Sequence, residues 1–255
     1  MAYTLEKIAS FIGAHLVGRE DAEVNWLLTD SRSLCFPEDT LFFALETSRN
    51  DGHRYIPDLY RRGVRSFVVR RLPQEMADYP GANFLQVVSP LKALQRLAER
   101  HREAFDIPVV GITGSNGKTI VKEWLYQLLS PERVVTRSPR SYNSQIGVPL
   151  SVWGLNEQSE VGVFEAGISM PGEMEALQSI VQPTVGVFTC LGGAHQENFG
   201  SPEQKCMEKL KLFKDARVLV YCIDDPCVAG CVNLSAFKGE YMAWSMTRRD
   251  VPVAV

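Results

Sequence analysis

The stretch Val109-Val110-Gly111-Ile112-Thr113-Gly114-Ser115-Asn116-Gly117-Lys118-Thr119 sets the reading of the whole chain. An apolar run from Ile107 to Ile112 stops at a glycine-rich turn, and Val121, Trp124, Leu125 and Leu128 then recur at helical spacing. The pattern predicts strand, loop and helix. A loop of this kind lines up backbone N–H groups at the positive end of a helix, where phosphate oxygens sit well. Gly117-Lys118-Thr119 closes it as a P-loop closes, with Lys118 placed for the β and γ phosphates and the Thr119 hydroxyl for Mg2+. The general P-loop pattern asks for glycine five residues before Gly117, where this chain has Ile112; Gly111 comes one residue early and Gly114 sits inside the loop. A plain strand-to-helix connector is the alternative, but Gly-Lys-Thr at a helix start after a buried strand favours nucleotide phosphate binding.

Outward from this loop the pattern is regular. Strands are predicted over 107–112, 160–165, 184–189, 217–222 and 240–244, with helices over 117–129, 172–181 and 202–213. Such alternation predicts a doubly wound, mostly parallel α/β sheet. Upstream, Thr4 can cap a helix carrying Leu5, Ile8, Ala9 and Ile12 that Gly13 ends. Val24 to Leu28, Thr40 to Leu45 and Val64 to Val69 read as strands, with a turn at Asn50-Asp51-Gly52-His53 and a helix around Ile56, Leu59 and Tyr60. The expected division is a small α/β domain over 1–84, a connecting helix that starts at Pro90 within 85–106, and a second domain over 107–255.

Composition narrows the function class. The 255 residues are 45% apolar and 22% charged, enough for one large core or two smaller ones. Twenty-seven basic against thirty acidic residues leave a net charge of -3, which gives no electrostatic case for nucleic acid. The N-terminus lacks the basic start and apolar core of a signal peptide, and no apolar run reaches membrane-spanning length. No membrane insertion and a cytoplasmic location are therefore expected. The six cysteines include no Cys-x-x-Cys pair, so reduced, mostly buried thiols are expected over a zinc site at Cys222, Cys227 and Cys231.

Ligands of doubly wound sheets bind beyond the carboxyl ends of the strands. That rule picks out Glu165, which closes the strand Val161 to Glu165, and His195, which follows Val185 to Cys190. Glu165 suits Mg2+ as a hard oxygen ligand, or serves as a helix-capping or surface carboxylate. His195 is equally readable as a loop imidazole bonded to backbone. Ser201, Pro202 and Gln204 open the next helix, where Cys206, Leu210 and Phe213 form one stripe and Lys209 lies at its margin. A lysine there must snorkel, find a partner or change chemically. Lys205, farther round the helix, is expected in solvent.

These residues together resemble the Mur ligases, ATP-dependent amide-bond-forming enzymes of cell-wall precursor synthesis. Thr113-Gly114-Ser115-Asn116-Gly117-Lys118-Thr119 is similar to the family's phosphate loop, including the glycine spacing that departs from the general pattern. Thr29-Asp30-Ser31-Arg32, Leu41-Phe42-Phe43-Ala44-Leu45 and Asp51-Gly52-His53 resemble the N-terminal domain that grips the UDP part of the substrate; Asn143-Ser144-Gln145-Ile146-Gly147-Val148-Pro149 resembles the family's asparagine segment. Within the family, His195-Gln196-Glu197-Asn198-Phe199-Gly200-Ser201 followed by Lys209 is most similar to members that add D-Ala-D-Ala to UDP-N-acetylmuramoyl-tripeptide through an acyl phosphate.

The resemblance implies ATP and Mg2+ as cofactors, those two compounds as substrates, and a monomer. It implies Gly114, Ser115, Asn116, Gly117, Lys118, Thr119 and Asn143 for the nucleotide, and Ser31, Arg32, Asp51 and His53 for UDP. It implies Thr119, Glu165, His195 and Lys209 for metal, with Lys209 carbamylated, and Lys118, His195 and Lys209 as the catalytic set. Three positions depart from the family: Ser144-Gln145 stands where another asparagine and an acid belong, and Cys222 replaces asparagine in Cys222-Ile223-Asp224-Asp225-Pro226. Family members continue into a further C-terminal domain that closes over ATP, so the expectation is a fragment with a truncated central domain and little ligase activity of its own. The resemblance also extends to an arrangement in which the ligase is fused to an alanine racemase.

Overall fold

A computed structural model describes residues 2–19, 21–235 and 237–254. The chain divides into two units, Met1–Arg100 and His101–Val255.

In the first unit, a two-stranded antiparallel pair joins β1 (Tyr3–Thr4) to β3 (Glu23–Val24), and helix α1 (Leu5–Ile12) begins directly after β1. Thr4 caps that helix by accepting from the Lys7 N–H at 3.3 Å, and Gly13 ends it in the left-handed region, as the sequence predicts. The main sheet runs β2 (His15–Val17), β7 (Asn83–Gln86), β6 (Ser66–Val69), β5 (Thr40–Phe43), β4 (Trp26–Leu28). Every pairing in it is parallel except β2 with β7. Residues of β5 and β6 are buried throughout, which is why both strands read as apolar runs rather than alternating ones. Helix α2 (Ile56–Arg61) packs Ile56 and Leu59 into a core with Phe42, Phe67 and Phe84. Strands β2 and β7 were not anticipated: three- and four-residue strands carry too little periodicity to stand out.

Helix α3 (Pro90–Arg102) leads the chain into the second unit. There a seven-stranded sheet has the order β14 (Val253–Ala254), β13 (Glu240–Ser245), β12 (Val218–Cys222), β11 (Val185–Phe188), β8 (Val109–Thr113), β10 (Val161–Glu165), β9 (Val135–Arg137). All its pairings are parallel. From β8 the chain passes through α4 (Lys118–Leu129) to edge strand β9 and through α5 (Gly147–Val152) back to β10. It then crosses through α6 (Glu173–Val181) to β11 on the other side of β8, and continues outward through α7 (Pro202–Leu210) and α8 (Pro226–Leu234). The direction of winding therefore reverses at β8, and the crevice where this sheet binds ligands opens at that strand's carboxyl end. With right-handed crossovers, α4 covers one face and α5 to α8 the other.

Helix α4 forms where the spacing predicts it, yet its apolar residues are not a buried stripe: Trp124 is 62% and Leu128 76% exposed, and the residue α4 buries is Lys122. The cysteines are not mostly buried either: Cys206 and Cys231 are, whereas Cys222 and Cys227 are half-buried and Cys35 and Cys190 exposed. All six are free thiols, and among the described residues Cys222, Cys227 and Cys231 do not converge closely enough to share an ion.

Candidate active site

Strand β8 delivers the chain into the loop Gly114 to Gly117. Gly114 has φ +146°, and a Cβ there would come within 2.0 Å of Thr189 Oγ1. Gly117, at φ 82°, turns the chain into the first residue of α4. Only glycine meets both demands at no cost. The loop's oxygens are held by protein donors. Lys118 Nζ donates to the carbonyls of Gly114 at 2.9 Å and Ser115 at 3.3 Å, and Thr189 Oγ1 donates to that of Asn116 at 2.6 Å. Ser115 is fixed by its N–H to the Cys190 carbonyl at 2.8 Å and by its hydroxyl to the Gly192 carbonyl at 3.1 Å. Burial holds the Lys118 ammonium below the usual lysine range, against the opposing pull of Glu165.

Glu165 ends β10 and is fully buried, which rules out a surface carboxylate. Its Oε2 accepts from Thr119 Oγ1 at 3.1 Å and from Asn143 Nδ2 at 3.4 Å. Its Oε1 accepts no hydrogen bond, although Lys122 Nζ stands 3.2 Å away as a counter-charge. That ammonium also donates to the carbonyls of Ser138 at 2.8 Å and Arg140, tying the segment before Asn143 to α4.

On the opposite side, α7 carries two buried lysines. Lys209 is 3% exposed and donates to the Gly114 carbonyl at 3.2 Å, so it does not snorkel to solvent. Burial, then the charges of Lys118 and Lys205, lower its pKa to about 8. Lys205 corrects an expectation: it is 1% exposed, and its ammonium donates to the carbonyls of Gly192 and, at 3.1 Å, Ala194. A helical wheel cannot show those acceptors, because they lie in the loop before α7 and reach Lys205 only through the fold.

A cavity of about 140 Å³ unites the set: Gly114, Ser115, Lys118, Asn143, His195 and Lys209 all line it. Thr119 and Glu165 join through their bonds at Asn143's end, while Asn116 and Gly117 shape the loop from outside the cavity. His195 is exposed with φ 58°, and its ring makes no cap hydrogen bond to backbone. A second cavity of about 140 Å³ lies beside the loop, between Thr189, Cys190, Cys222, Asp225 and Trp244, so the departing Cys222 lines a wall next to the phosphate loop. A larger cavity, about 730 Å³ among Met207, Leu210, Phe213 and Phe237, holds none of the predicted site residues; convergent charge, not volume, marks the site. Lys122, Lys205 and Thr189 were not foreseen, the first two because a lysine bonded to distant carbonyls looks in sequence like any solvated one.

The first-unit residues form two separate clusters. Arg32 is clamped to Asp30 (Nη2 to Oδ2 2.6 Å), and Ser31 offers its carbonyl to Arg62 at 2.8 Å. His53 Nε2 accepts from the Arg70 N–H at 3.1 Å, so its ring proton sits on Nδ1 and is donated to Asp51 Oδ1 at 2.7 Å. Burial raises the Asp51 pKa, but hydrogen bonds from His53 and Arg71 outweigh it and hold the carboxyl below its usual range. The four residues do not share one cavity: His53 lines a pocket of about 400 Å³ with Arg71 and Tyr79, and Ser31 and Arg32 lie outside it.

The family model described as the Mur ligase middle domain matches residues 112–249. The UDP-N-acetylmuramoyl-tripeptide--D-alanyl-D-alanine ligase of Bacillus subtilis (strain 168) is 31% identical over 229 residues, 88% of this chain and 49% of that protein. A crystal structure of MurF from Acinetobacter baumannii superposes with a TM-score of 0.86 at 25% identity, covering 96% of this chain and 53% of that one. The MurF ligase of Thermotoga maritima in complex with ADP matches with a TM-score of 0.75 at 29% identity, over 87% of this chain and 50% of that one. The chain thus spans about half the length of these relatives. The matched region runs from β8 past β13 and takes in the phosphate loop, Glu165, His195 and Lys209, so this chain belongs to the Mur ligase family.

Proposed function

We propose that this chain carries the nucleotide-binding site and the UDP-substrate site of an ATP-dependent ligase that adds D-Ala-D-Ala to UDP-N-acetylmuramoyl-tripeptide. The observation that carries the reading is the convergence of Lys118, Asn143, His195 and Lys209 on one cavity at the sheet's switch point, with Thr119 and Glu165 bonded beside it. The relative named as that ligase and the ADP-bound relative support it.

The residues present fit Mg2+. Thr119 Oγ1 and Glu165 Oε2 supply hard oxygen donors 3.1 Å apart, while Oε1 of the same carboxylate faces the Lys122 ammonium at 3.2 Å. Thr119 and Glu165 would hold the ion shared with the nucleotide. His195 and a carbamylated Lys209 would hold a second, since an amine with a pKa of about 8 is partly neutral near pH 7.5 and the neutral amine is the form that adds CO2. Bound Mg2+ would screen phosphate charge as two anions meet. Lys118, held along the loop, would add a positive charge at the β and γ phosphates, and the glycines at 114 and 117 set the loop's backbone in advance. The substrate carboxylate would take the γ-phosphoryl group from ATP, and the amine of D-Ala-D-Ala would then displace phosphate from the acyl carbon.

Ser31 and Arg32, and the loop that Asp51 and His53 brace, would grip the UDP portion in the first unit. We further propose that the protein acts in the cytoplasm as a monomer. Isothermal calorimetry with ADP, with and without Mg2+, tests the reading. Mg2+-dependent binding that Lys118→Ala removes is expected; binding indifferent to both would refute it.

A further inference from the structure

Lys205 is a buried charge on this side of the cleft with no task in the reaction above. Its side chain is 1% exposed, and it makes no ion pair among the described residues. A buried ammonium without a counter-charge is a net cost to the fold, and an apolar residue of its shape would fill the same space more cheaply. The ammonium is spent on two carbonyls, Gly192 and Ala194, in the loop between β11 and α7. Ala194 immediately precedes His195, which stands in the left-handed region at φ 58°. The Gly192 carbonyl also accepts the Ser115 hydroxyl at 3.1 Å, so one oxygen receives a donor from α7 and another from the phosphate loop.

We infer that Lys205 is a positioning residue: by pinning Gly192 and Ala194 it fixes the loop that offers His195 to the cleft and couples that loop to the phosphate loop through Ser115. The role of His195 rests on the nucleotide and metal reading of the site; the bracing of the loop does not. Because the charge is a cost to the fold, its removal separates a functional brace from a merely structural contact.

The test uses the 255-residue chain with Lys205→Met, which keeps the length and drops the charge, and Lys205→Gln, which keeps a donor. In Lys205→Met the thermal midpoint is expected to equal or exceed that of the parent. The amides of Gln196, Asn198 and Phe199, each bonded within the loop, are expected to exchange with deuterium about tenfold faster, with the sheet unchanged. Mg2+-ATP affinity is expected to fall about tenfold, and Lys205→Gln to restore part of both losses. Unchanged exchange in the loop would overturn the inference. So would a lowered midpoint with exchange accelerated throughout the second unit, which would make Lys205 an ordinary structural contact. A parent chain that bound no Mg2+-ATP would instead sink the nucleotide reading, and loop exchange alone would then decide the brace.

Discussion

On the β10 side of the cleft, Glu165 and Lys122 are both fully buried and 3.2 Å apart; on the α7 side, Lys205 and Lys209 are nearly as buried and meet only backbone carbonyls. Lys122 serves Glu165 and, at 3.1 Å, Glu123 of the same helix. Glu165 needs its partner because a buried carboxylate left alone is far costlier than the pair. The lysines have dipoles for company, which solvate a cation without cancelling its charge, so that side keeps an unspent positive field. One half of the site pairs its charges within the protein; the other keeps ammonium groups bonded to backbone carbonyls.

The largest expected effect comes from breaking the paired half. Lys122→Met should destabilise the chain by about 4 kcal/mol in urea denaturation, and the further change Glu165→Gln should recover most of that. If the single variant lost less than about 1 kcal/mol, Lys122 would not be the counter-charge on which Glu165 depends. The other half should behave oppositely. Lys118→Ala should weaken ADP binding about a hundredfold by calorimetry while leaving the urea midpoint unchanged or raised.

His101 sharpens the contrast, being a buried base that has surrendered its charge. Burial lowers its pKa to about 4, and its Nε2 lies 3.0 Å from the Leu155 carbonyl. The unfolded chain takes up this proton near pH 6.5, before the folded one does. Stability from this group is therefore complete above pH 6.5 and lost as pH falls towards 4, by about 3 kcal/mol. Urea midpoints at pH 7 and 4.5 should differ less in His101→Phe than in the parent. The smallest effect is expected at the outer surface of α4, where Trp124→Ser and Leu128→Gln should each shift stability by no more than about 0.5 kcal/mol.

Much of this was legible in the residues. The central strands β8 and β10 are apolar runs stopped by glycine or a polar end, and a parallel sheet buried on both faces has that signature. The switch-point rule then placed Glu165 and His195 without knowledge of a single contact, because it needs only strand ends and strand order. Lys209 was visible as a charge at the edge of an apolar stripe. What stayed hidden were Lys122 and Lys205, whose partners are carbonyls 11 to 18 residues away in irregular loops. A carbonyl belongs to every residue, so no letter in the sequence announces it as an acceptor. The outward turn of Trp124 and Leu128 was equally hidden, since helical spacing shows that residues share a face but not which way the face points.

The occupied oxygens of the phosphate loop have one more effect. Gly114, Ser115 and Asn116 each have their carbonyl taken by a lysine or a threonine of the protein itself. A bare cation reaching the loop finds these three oxygens already facing donors, although the Ser115 N–H is itself given to the Cys190 carbonyl. The loop thus disfavours cations at its own oxygens, and under the proposed reading metal would bind beside it, at Thr119 and Glu165 and at His195 and Lys209.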